Sequence, residues 1–131
     1  MNLEQCMDRL KDEVGIDSDF PQGERGAYLL PMDEERSVEV KDLNPGICLF
    51  CQVASCPAHE QEDFFTNMLL ANLFGQGTEG AILGLDQDAK HLVLRKEITY
   101  AVDYEKFAEE IEDFMNAVDL WTNEVNEQNA A

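Results

Sequence analysis

The sequence predicts a single α+β domain of order α-β-β-β-α-β-β-α, with helices packed on a mostly antiparallel, twisted sheet. Three observations lead there. The chain has 131 residues, the size of one domain, so residues 1–131 are expected to fold together. Apolar residues make up 44 %, too many for a chain disordered throughout. They recur at helical spacing in three segments, and they alternate or run together in five short ones. A chain of this length buries roughly two thirds of the surface that its unfolded form exposes.

Residues 2–14 form the first predicted helix. Leu3, Met7, Leu10 and Val14 fall on one face, and Gly15 ends it. Residues 16–26 read as a polar loop with Pro21, Gly23 and Gly26. Residues 27–32 read as a short strand. Pro31 cannot donate to a ladder, so this strand lies at an edge or stops there. Residues 37–43 alternate, with Val38 and Val40 opposite Glu39 and Lys41, as in a half-buried strand. Asn44-Pro45-Gly46 is a turn, and the more apolar residues 47–54 suit a strand inside the sheet.

Residues 58–74 are the second predicted helix. Phe64, Phe65, Met68, Leu69, Leu70, Leu73 and Phe74 cover more than one face, where a helix with one core to meet shows a single stripe. A glycine loop (Gly75, Gly77, Gly80) leads into strands at 81–86 and 91–98, joined by Gln87-Asp88-Ala89-Lys90. Residues 103–125 are the longest predicted helix, capped by Asp103. Phe107, Ile111, Phe114, Val118, Trp121 and Val125 form its seam, which over only three heptads reads as a core-facing stripe and not a coiled coil. Residues 127–131 are expected to form a frayed tail. The stretch Met68–Ile98 holds more apolar surface than one small domain uses. That surplus predicts a binding module that pairs with a copy of itself.

Nine Lys and Arg against 28 Asp and Glu give a net charge of −19. Nucleic acid and anionic membranes repel such a surface, so no nucleic acid partner and no membrane insertion are expected. The N-terminus lacks the basic start and apolar stretch of a signal peptide, and no apolar run approaches a membrane span of ~20 residues. The expected location is the cytoplasm, where Cys6, Cys48, Cys51 and Cys56 are reduced thiols.

Gly75-x-Gly77-x-x-Gly80 matches a dinucleotide-binding pattern in letters, but a helix precedes it and a strand follows, the reverse of what holds a pyrophosphate. Cys48-x-x-Cys51 with Cys56 and His59 resembles a zinc set. In a strand, positions three apart point to opposite faces, so Cys48 and Cys51 cannot share one ion. The same pair lacks the helix start that activates redox thiols. Cys56 with His59 or His91 has only residue type in favour of a nucleophile pair. Asp86-Gln87-Asp88 begins like a calcium loop but continues Ala89-Lys90-His91. No catalytic residue, metal or cofactor is expected, and no enzyme.

Several segments together are similar to those of class I type III secretion chaperones, the family of the chaperones for translocated intimin receptor and Yersinia outer proteins. They are Tyr28-Leu29-Leu30-Pro31, Leu70-Ala71-Asn72-Leu73-Phe74 before the glycines, Leu83-Gly84-Leu85-Asp86, His91-Leu92-Val93-Leu94-Arg95, and the last helix from Phe114 to Trp121. The resemblance covers nearly the whole chain in element order, and the cysteine-rich third strand departs from it. It implies a small acidic bacterial homodimer that holds the N-terminal segment of secreted effector or translocator proteins in extended form. The client would thereby stay soluble and fit for the secretion apparatus. By the same resemblance, the dimer contact would use Met68, Leu69, Leu73, Phe74, Ile82, Leu83 and Leu85. The effector groove would use Leu3, Met7, Leu10, Tyr28, Leu30, Val38, Val40 and Leu49. An alternative is a regulatory protein that sequesters a transcription factor or heterodimerises with a related chaperone.

Overall fold

A computed structural model describes residues 2–16, 20–21, 23, 26–33, 36–58, 60–74 and 80–130, the side chains of 74 and 130 excepted. The elements are α1 (Leu3–Val14), β1 (Tyr28–Pro31), β2 (Ser37–Asp42), β3 (Ile47–Ser55), α2 (Gln61–Phe74), β4 (Ile82–Leu85), β5 (His91–Ile98) and α3 (Tyr104–Ala130). The predicted order is therefore observed. The strands form one sheet in the order β1-β2-β3-β5-β4, and all four pairings are antiparallel. β1 is an edge ending at Pro31, and β3 is central, as expected. His59 and residues 75–79, which include Gly75 and Gly77, lie outside the described residues.

Local chemistry accounts for the element ends. Asn2 caps α1, its side chain accepting from the Gln5 N–H while the Gln5 side chain accepts from the Asn2 N–H. Gly15 ends α1 in the left-handed region, at φ 76°. α2 begins at Gln61, three residues later than predicted, because Glu60 has φ 51°, which a right-handed helix excludes. The Asp103 carboxylate accepts from the Lys106 N–H at 2.8 Å and caps α3. The Asp86 carboxylate builds the β4–β5 turn, accepting from the N–H groups of Lys90 and His91 and meeting His91 Nδ1 at 2.7 Å.

The strand alternation sorts the sheet into two faces. Leu30, Val38, Val40, Leu49, Cys51, Val53, Leu83, Leu92, Leu94 and Ile98 share one core with buried residues of all three helices. Glu39, Phe50, Arg95 and Ile82 lie in register on the other face. The predicted α3 stripe from Phe107 to Val125 is buried throughout.

Two further expectations change. Phe20, in the stretch read as a polar loop, is a core residue. The expected frayed tail is helical as far as Ala130, because Asn129 accepts from the Ala58 N–H and Gln128 donates to Glu60.

Candidate functional site

Most of the side chains expected to form a groove are interior. Leu3, Met7, Leu30, Val38, Val40 and Leu49 are all core residues, and none of the last three is accessible at all. The helices cover the sheet face that carries the strand residues, and the buried face of α1 carries the other two. Leu10 and Tyr28 stay partly open. An apolar groove does exist, but it is built differently. Leu10 and Val14 from the end of α1, Ile16 from the loop after it, Leu30 and Pro31 from β1, and Ile111 and Met115 from α3 line it. Its volume is about 250 Å³. Small-molecule sites run roughly 300–1,000 Å³, so the groove suits apolar side chains of a peptide better than a cofactor.

The groove lies beside the β1 edge, whose outward backbone groups are partly occupied. The Leu29 N–H donates to the Pro21 carbonyl and the Gly23 N–H to the Ala27 carbonyl, both at 2.8 Å. Pro31 brings no N–H. An extended peptide adding to this edge would have to exchange those two bonds.

The expected dimer set also divides. Met68 and Leu83 are core residues of their own subunit. The Phe74 side chain lies outside the described residues. The other four are exposed: Leu69 at 70 %, Leu73 at 74 %, Ile82 at 65 % and Leu85 at 39 %. Leu70, at 49 %, adds to them. Leu69 and Leu73 stand one turn apart on α2, and α2 packs on β4. Four of the seven expected residues, with Leu70, are thus exposed large aliphatic side chains on α2 and β4. The unusual width of the apolar pattern on α2 signalled this exposure. Nothing periodic marked Ile16 or Met115 as groove residues, since they come from a loop and from beside the α3 stripe.

The thiols are not activated. Burial pushes Cys6, Cys48, Cys51 and Cys56 up from the ordinary value, Cys51 to about 11, so all favour the neutral form at neutral pH. Cys51 belongs to the core, whereas Cys48 on the opposite face lines a hollow with Lys41, Phe50 and Arg95. The two therefore cannot hold one ion between them. Among the described residues, no three His, Cys, Asp or Glu side chains form a group able to hold a metal. No described helix is long and apolar enough to cross a membrane.

Comparison with known proteins adds independent findings. The sequence model of the Tir chaperone protein (CesT) family matches residues 5–122. A Chlamydia pneumoniae protein, CPj0713/CpB0740, is 27 % identical over 125 residues, covering 94 % of this chain and 95 % of its own. The fold is similar to that of a chain in the ExsC-ExsE complex, with a TM-score of 0.73 at 16 % identity, covering 94 % of this chain and 96 % of the other. It is also similar to a chain of the HopA1-SchA chaperone-effector complex, with a TM-score of 0.70 at 13 % identity and 92 % of each chain covered.

Proposed function

Because this chain belongs to the Tir chaperone protein (CesT) family, we propose that it is a type III secretion chaperone of the bacterial cytoplasm. It binds the N-terminal segment of a secreted effector or translocator in extended form and keeps that segment soluble. It performs no catalysis. The observation that carries this reading is the apolar groove of Leu10, Val14, Ile16, Leu30, Pro31, Ile111 and Met115 beside the β1 edge. Apolar side chains of an extended client seat there, while the client backbone competes with Pro21 and Gly23 for β1. The fold similarity to chains of an ExsC-ExsE complex and a chaperone-effector complex supports the same use. The net charge of −19 favours encounter with basic client segments.

The subunits work in pairs, with Leu69, Leu73, Ile82 and Leu85 covered by the twin. Met68 and Leu83 support that surface from beneath.

The groove is tested by Leu10→Asp and Met115→Asp, both at partly open positions. Tagged wild type, expressed in its native bacterium, should co-purify with type III secretion substrates identified by mass spectrometry. Either variant should lose them by about tenfold or more, since one buried aliphatic side chain contributes roughly 1.5–3 kcal/mol. Equal recovery by well-folded variants would remove the groove from the binding site.

A further inference from the structure

β4 is a sheet edge, and an edge strand offers unpaired N–H and C=O groups to any passing strand. In an antiparallel pair, successive residues turn their backbone groups alternately toward and away from the partner. β4 has four residues, so two of them face outward. Leu83 is one, because both of its backbone groups are engaged away from β5. Its N–H donates to Asn72 Oδ1 and its carbonyl accepts from Asn72 Nδ2, each at 2.8 Å. The carboxamide of Asn72 on α2 thus makes the two bonds that a residue of a sixth strand would make. The exposed side chains of Ile82 and Leu85 lie on either side of this point.

We propose that Asn72 guards the β4 edge. It stands in for a neighbouring strand at Leu83, so a second copy docks on this rim through side chains alone. The five-stranded sheet cannot continue into the neighbour, and association stops at a closed pair instead of growing. The idea builds on the pairing of subunits about α2 and β4 proposed above, and the two can fail separately.

An Asn72 that merely ties α2 to β4 would give a different result from an Asn72 that guards. In Asn72→Leu, both Leu83 groups lose their partner. Amide exchange at Leu83 should quicken roughly fivefold to tenfold, the factor that one lost hydrogen bond corresponds to. Light scattering should also show species larger than wild type that grow with concentration. Faster exchange with an unchanged assembly state would overturn the guard. A second measurement does not depend on how well that variant folds. In a Leu73→Glu monomer, the Leu83 amide should remain as protected as in wild type, because the bond is internal. If protection vanishes with the partner, a strand of the twin was making it, and the proposal falls. A Leu73→Glu protein that stays paired counts against the pairing surface, and the assembly state of Asn72→Leu then decides the guard by itself.

Discussion

Gly46 sits where no side chain fits. Its φ is +97°, and a Cβ built there would lie 1.8 Å from the Ile98 carbonyl oxygen. The turn from β2 into β3 closes by the Leu43 N–H donating to the Gly46 carbonyl. Gly46→Ala should therefore destabilise the protein by roughly 2–4 kcal/mol, read as a lower urea midpoint. Tyr104 gives a prediction of another kind. It is buried, its hydroxyl donates to Glu13 at 2.7 Å, and Arg9 stacks 4.3 Å from its ring centroid. Burial first, and then the bond to Glu13, push its pKa from 10.0 up to about 12. A raised value means that the folded state keeps the proton longer than the unfolded state does. The resulting stability is complete below pH 10 and declines as pH rises toward about 12. Thermal melts should show that decline in wild type, and Tyr104→Phe should lessen it.

At the scale of elements, α3 is fastened to the sheet by charge as well as by its apolar stripe. Glu110, buried, pairs with Lys96 of β5 and with Lys106 one turn earlier on α3. Burial pushes the carboxyl up, but the two ammonium groups outweigh it and hold it below 4.5. The stability it contributes is present above that value and is lost as pH falls through its lowered pKa. Glu110→Gln should cost about 1–3 kcal/mol at neutral pH, and it should flatten the acid limb of a stability curve.

The elements themselves were legible because periodicity is local. Every helix and strand falls within three residues of its predicted start, and the α3 stripe was read residue by residue. The start of α2 moved for a local reason, the backbone of Glu60, whereas the end of α3 depended on a contact far away in sequence, where Asn129 meets Ala58. The groove was less legible for a definite reason. Alternation says that Val38 and Val40 share a face, but not whether a helix will cover it. The exposed aliphatic side chains of α2 and β4 could be read in part, because α2 carries apolar residues on more sides than one core can use. Asn72 gave no signal, since its partner Leu83 lies eleven residues on, beyond the glycine loop.

For the whole molecule, charge and apolar surface divide the work. Arg9, Arg36, Arg95, Lys96 and Lys106 lie in ion pairs with the chain's own acids. The remaining acid keeps the surface strongly negative and the protein soluble. On the proposed pairing, attraction between like-charged twins comes from the exposed Leu69, Leu73, Ile82 and Leu85. Leu73→Glu should weaken pairing by roughly tenfold to hundredfold and halve the mass seen by light scattering at micromolar concentration. An unchanged mass would place the contact elsewhere.

The chain has one tryptophan, Trp121, and its ring meets Phe64 of α2 edge-on at 6.1 Å. The only indole fluorophore therefore lies where the longest helix touches the helix that bears Leu69 and Leu73. Dilution that separates the twins should alter its emission if α2 resettles, and the equilibrium can then be followed without any label.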